Sequence, residues 1–83
     1  MSEKIMTNYK IVPEAGRGIC AIGDVDGKEI QTSTIVKIKE GFIRTSSGTI
    51  YQMRSPKETL WAFQLQIKRP EYYAKLLSKN LII

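Results

Sequence analysis

Apolar and polar residues alternate through the first two thirds of the chain, and the alternation breaks at pairs suited to tight turns. Residues 19–25 and 28–39 read as strands on either side of Asp26-Gly27. Residues 42–46 and 49–54 continue the pattern past Glu40-Gly41 and Ser47-Gly48. A glycine in a two-residue loop supplies the positive φ that matches the twist of a hairpin, so all three pairs predict such loops. Gln31-Thr32-Ser33-Thr34 interrupts the long second segment and predicts a bend or bulge there. Residues 9–12 form a shorter apolar run ended by Pro13, preceded by a polar stretch, residues 1–8, expected to be flexible.

At Ser55 the period changes. Ser55-Pro56-Lys57-Glu58 combines an N-cap serine, proline at the first helical position and a capping-box glutamate. Beyond it Leu60, Phe63 and Ile67 share one helical face, expected to pack on the sheet, with Trp61 and Leu65 beside it. Pro70 ends or kinks this helix. Residues 71–79 read as a second helix with Asn80 as its C-terminal cap. Strands followed by helices predict an α+β fold: an antiparallel four- to five-stranded β-meander (9–54) and two C-terminal α-helices (55–83), in one domain. The apolar end Leu81-Ile82-Ile83 needs cover, from its own sheet or from another subunit, and favours a homo-oligomer.

Folding the chain at two-residue loops sets a register. Lys37 then faces Arg44 and Ile38 faces Ile43, while Arg44 faces Tyr51 and Ile43 faces Gln52. One face carries Val36, Ile38, Ile43, Thr45 and Ile50, with Gln52 at its margin, as the seat for the helices. The other carries Ile35, Lys37, Lys39, Phe42, Arg44, Tyr51 and Met53. Like charges directly opposite one another are unfavourable, so the row Lys37, Arg44, Tyr51 suits a surface that meets an anion. Cations beside rings can hold a phosphate and stack a base. The plainer account is a solvated face whose lysine stems cover Phe42 and Met53.

Composition narrows the chemistry. The 83 residues carry 13 Lys and Arg against 8 Asp and Glu, a formal charge of +5 that favours phosphate-bearing partners. Histidine is absent and there is one cysteine, Cys20. The commonest general base is therefore missing, a single cysteine cannot build a zinc site, and no metal or cofactor is expected. One cysteine rules out an intrachain disulfide and suits a buried thiol in a reducing compartment. No stretch is long and apolar enough to span a membrane, and a cytoplasmic protein is expected.

Further candidates come with structural alternatives. Gly16-Arg17-Gly18 offers backbone N–H groups and a guanidinium to an anion, yet lacks the spacing and context of a P-loop and also reads as an ordinary loop. Asp24 and Asp26 lack the other ligands of a calcium loop. Trp61 is a core residue or a stacking anchor. Tyr72 and Tyr73 point about 100° apart on a helix, so at most one lies fully in the core. Lys68-Arg69 opposes the dipole at a helix end.

Val25-Asp26-Gly27-Lys28, Thr32-Ser33, Ile35-Val36 and the run from Thr45 to Tyr51 (TSSGTIY) together resemble a pattern of small phage-encoded proteins. They are similar to the Thoeris anti-defence family, which sequesters cyclic ADP-ribose signals. The resemblance covers about a third of the chain and implies an α+β subunit of a homo-oligomer that encloses a nucleotide-like signal without cleaving it. Such pockets use aromatic stacking and arginine–phosphate contacts, matched in type by Tyr51 and Arg44. The expected function is thus capture of a nucleotide-derived immune signal in the host cytoplasm, with Lys37, Phe42, Arg44, Tyr51, Arg17 and Trp61 as ligand-binding residues. Two alternatives are a nucleic-acid-binding sheet and a protein inhibitor of a host defence effector. An enzyme is the least favoured class, because no paired carboxylates or activated nucleophile can be placed together.

Overall fold

The computed structural model describes residues 3–57 and 60–82. It is an α+β fold: six strands, then two helices, in the order β1 (Glu3–Pro13), β2 (Ile19–Val25), β3 (Lys28–Gln31), β4 (Ile35–Lys39), β5 (Phe42–Thr45), β6 (Ile50–Met53), α1 (Leu60–Lys68) and α2 (Pro70–Ser78). The spatial order β3-β2-β1-β6-β5-β4 departs from a simple meander. The first strand starts six residues earlier than expected and sits in the middle of the sheet. Its N-terminal part runs parallel to β6, with Glu3 opposite Ile50 and Met6 opposite Met53. Its C-terminal part pairs antiparallel with β2. Within that second part the register shifts between Thr7 and Lys10, where Asn8 has φ 48°.

The expected long strand 28–39 is two strands, and these lie at opposite ends of the sheet. Only Thr32, Ser33 and Thr34 join them, and four residue steps span at most ~14 Å. The sheet must therefore curl until its two edges come close. The hydroxyl-rich link holds that corner. Thr32 N–H donates to the Ala21 carbonyl (2.8 Å), and Ala21 N–H donates to Thr32 Oγ1 (3.0 Å). Thr34 Oγ1 donates to Glu14 Oε1 (2.7 Å), while the Thr34 carbonyl accepts from Ser46 N–H (2.8 Å). The bend expected at this segment is the hinge between the two halves of the sheet.

The turns share glycine but not geometry. Asp26 and Gly27 both have positive φ, as a two-residue type I′ loop requires. Lys39 opposes Phe42 across Glu40-Gly41, so that loop also has two residues. The third loop differs. Thr45 N–H donates to the Thr49 carbonyl (3.1 Å), leaving Ser46, Ser47 and Gly48 as a three-residue loop with Gly48 at φ 90°. This matches the loop in which a turn is followed by a left-handed residue.

The core gathers Met6, Tyr9, Ile11, Ile19, Ile35, Ile43, Tyr51 and Met53 from the strands with Trp61, Leu65 and Leu76 from the helices. Gly23 admits β1 closely: a Cβ there would lie 2.7 Å from Met6 Cγ and 3.0 Å from the Thr7 carbonyl oxygen. Tyr9 is the pivot between layers. Its ring lies 6.1 Å from that of Trp61, and its hydroxyl donates to the Leu81 carbonyl (2.6 Å).

The helices correct two expectations. Ser55 is not an N-cap: it has φ 54°, Pro56 bridges Tyr9, and α1 begins at Leu60. The capping-box Glu58 lies outside the described residues. Nor do Leu60, Phe63 and Ile67 reach the core, for α1 buries Trp61, Ala62 and Leu65 instead. The sequence offers two apolar faces, and the one carrying the indole packs on Tyr9. Pro70 separates the helices as expected and starts α2. Asn80 ends α2 at φ 61°: its N–H donates to Leu77 O (3.2 Å) and Leu81 N–H to Leu76 O (3.0 Å). That is a Schellman cap, and the buried pair Leu76 and Leu81 closes it. Leu81 and Ile82 are thereby buried within their own chain.

Candidate functional site

The candidate site is the outer surface of the curled sheet at β4, β5, β6 and β1. Cross-strand pairing there aligns two rows. Lys37, Arg44, Ile50 and Glu3 form the first, and Lys39, Phe42, Gln52 and Ile5 the second. Neighbours within a row have Cβ atoms about 5 Å apart, and rows lie about 7 Å apart along the strands. A depression of about 390 Å³ is lined by Glu3, Lys37, Lys39, Phe42, Ile43, Arg44 and Ile50. Its cations stand at the β4–β5 end, its floor is apolar, and its carboxylate is at the β1 end.

Lys37, Lys39 and Arg44 are exposed. Among the described residues the one ion pair is Lys57 with Glu29 (3.6 Å), elsewhere on the surface. The three site cations therefore have no carboxylate partner among those residues. Lys37 directly opposes Arg44, an arrangement that costs some fraction of a kcal/mol and that a bound anion reverses.

Of the six residues expected to bind ligand, the structure brings Lys37, Phe42 and Arg44 together. Tyr51 is a correction. Because the third loop holds three residues, Arg44 opposes Ile50 and Tyr51 opposes Ile43. Tyr51 thus turns into the core, 7% exposed, and Ile50 takes its place on the outer face. The slip also sends Met53 inward. On β4 a bulge between Ile35 and Lys37 breaks the alternation: Ile35 and Ile38 are buried, while Val36 and Lys37 both face out.

Trp61 is a core residue. Its Nε1–H donates to the Lys57 carbonyl (3.1 Å), one turn earlier in the chain. Arg17 lies apart from the basin, in the β1–β2 loop. That loop does not cup an anion, because its carbonyls converge on a cation. Arg69 Nη2 donates to Gly16 O (2.6 Å) and Glu14 O (3.0 Å), and its Nε donates to Arg17 O (3.1 Å). Arg69 is thus a clamp between the β1–β2 loop and the α1–α2 joint, a role that the dipole argument did not capture. Tyr72 and Tyr73 are both half-buried against the core.

Two outward-facing lining residues escaped the sequence reading. Glu3 joins the site through parallel pairing with β6, for which a polar N-terminal stretch gives no local signal. Ile50 joins through the loop length, and the Ser-Ser-Gly sequence is the signal for a three-residue turn. Among the described residues no group of three or more histidine, cysteine, aspartate or glutamate side chains converges as metal ligands would. Burial pushes the Tyr9 hydroxyl up to about 12 and raises the Cys20 thiol, with the Gln31 amide contact opposing the latter. Both groups are buried and neither lines the basin. Among the described residues no helix is long and apolar enough to cross a membrane. No protein-family model, curated protein or solved structure matches this chain.

Proposed function

We propose that the protein binds a phosphate-bearing, nucleotide-derived ligand in the β4–β5–β6–β1 basin and holds it without cleaving it. That chemistry is what sequestration of a nucleotide immune signal requires. The observation that carries the reading is the order of groups along one row. Lys37 and Arg44 offer charge-assisted donors to a phosphate, Ile50 and the neighbouring Phe42 offer an apolar surface to a ribose or base, and Glu3 accepts from a hydroxyl or amine. The volume lies at the lower end of the range for small-molecule sites.

The test is calorimetry with a panel of cyclic, linear and ADP-ribose-type nucleotides, followed by recovery of the ligand after heating. The expected result is reversible binding of at least one nucleotide, recovered intact. Arg44→Ala weakens it by about tenfold or more, the usual consequence of losing a hydrogen bond to a charged group. No heat from any nucleotide, or a degraded ligand, contradicts the proposal.

A second reading is supported by the second row, where Lys39 opposes Phe42 and sets a ring beside the cations of the first row. An open surface of this kind also suits a single nucleic-acid strand, with phosphates on the cations and a base on Phe42. Affinity for a short single strand that falls steeply with salt, and more steeply than nucleotide affinity, selects this reading.

A further inference from the structure

Strand β4 ends the sheet and pairs with β5 alone. That pairing fixes which of its backbone groups are left over. Lys39 and Phe42 close a two-residue loop and exchange both hydrogen bonds, so Ile38 turns its N–H and C=O away from β5. Across from this edge lies α2. The two are joined at one end, where Gly41 N–H donates to Lys79 O (3.3 Å) and Asn80 Nδ2 donates to Glu40 Oε1 (3.1 Å). Away from that joint a groove of about 400 Å³ separates residues 34–38 from Tyr72 and Lys75.

We infer that this groove takes an acidic peptide segment in extended form, which adds to the sheet as a further strand beside β4. Backbone polarity and charge select the occupant. Ile38 offers one donor and one acceptor, and a peptide backbone answers both. The phosphates of a nucleic acid supply acceptors only. Lys37, Lys39 and Lys75 are exposed along and across the edge, and among the described residues no carboxylate lines the groove. The carboxylates at its ends are engaged, Glu14 by Thr34 Oγ1 (2.7 Å) and Glu40 by Asn80. The opposite edge, β3, carries charges of both signs, and its Glu29 pairs with Lys57 (3.6 Å). Lysines on an edge deter a second copy of the same strand, where lysine would meet lysine, and attract a strand of opposite charge. Outward side chains of the added strand would lie beside Lys37 and Lys39, and inward ones against Tyr72. Val36, 59% exposed, supplies apolar contact at the edge. Lys37 also borders the basin, but Tyr72 and Lys75 do not, and the inference does not rest on the nucleotide reading.

Amide NMR titration with a synthetic peptide of about six residues, the usual strand length, alternating glutamate and valine, tests it. The expected result is saturable shifts at Val36, Ile38, Tyr72 and Lys75, with an affinity that falls as salt is raised. Of two versions N-methylated at alternate positions, one loses binding by about tenfold or more and the other keeps it, because only alternate N–H groups face the neighbouring strand. Lys75→Glu weakens peptide binding by about tenfold or more through like-charge repulsion. Circular dichroism should show unchanged folding in this variant, since Lys75 is exposed. Shifts absent from the groove, or equal losses from both methylated versions, overturn the inference. A lysine–valine peptide that binds equally well, or an oligodeoxythymidylate that moves the groove amides at lower concentration than the acidic peptide, overturns it as well.

Discussion

The β4–β5 and β5–β6 hairpins share a strand and a glycine signal, yet only the first keeps the register that a two-residue loop dictates, as far as Lys37 and Arg44. Across Glu40-Gly41, Lys39 opposes Phe42 and Lys37 opposes Arg44. Across Ser46, Ser47 and Gly48 the register moves by one residue, and every side chain of β6 changes face. A side-chain period of two makes that unavoidable. The cationic pair comes from the hairpin that kept its register. The tyrosine that would have stacked beside it comes from the one that slipped. The site is thus a basic basin with Phe42 and Ile50 for apolar contact rather than an arginine–tyrosine pocket.

The largest effect that separates the two hairpins is on stability. Tyr51→Ala should cost about 3 kcal/mol, as removal of a buried aromatic does, while Lys37→Ala and Arg44→Ala stay within about 0.5 kcal/mol. Urea unfolding measures all three. Equal, small effects would return Tyr51 to the surface and restore the two-residue loop.

Next is the pH dependence of the core into which Tyr51 turns. Tyr9 holds its proton to about pH 12 in the folded chain. In the unfolded chain a tyrosine releases it near 10, so its contribution is fully present below about 10 and is lost as pH rises toward 12. The loss should be on the order of 2 kcal/mol. Unfolding at stepped alkaline pH should therefore show a decline that Tyr9→Phe reduces. An unchanged decline in Tyr9→Phe would remove Tyr9 from the cause.

The smallest effect lies in the third loop. Gly48 has φ 90°, and a methyl group there would meet no atom within 4 Å, so Gly48→Ala brings backbone strain without a clash. About 1 kcal/mol is expected from thermal or urea unfolding. No change would show that residue 48 does not need the left-handed conformation.

How much of this was legible depended on how local the determinant is. Turn positions, the Lys37–Arg44 pairing, the break at Pro70 and the cap at Asn80 follow from neighbouring residues and were readable. Glu3 was not, since its place in the site depends on parallel pairing with a strand almost fifty positions away. The bulge at Val36 and the half-turn rotation of α1 were hidden for another reason. Each segment offers two apolar faces, and packing against Tyr9 and the curled sheet selects between them. The corner at Thr32–Thr34 was visible as a bend, while its consequence, strands on opposite edges, required the tertiary fold.

The claim at the centre is that an anion is held at the hairpin that kept its register. Amide chemical-shift mapping by NMR during titration with pyrophosphate and then ADP-ribose tests it most directly. The account predicts shifts centred on Lys37, Lys39 and Arg44 with both probes, extending to Ile50 and Glu3 with ADP-ribose alone. Shifts confined to Gly16, Arg17 and Gly18, or none at all, would contradict it.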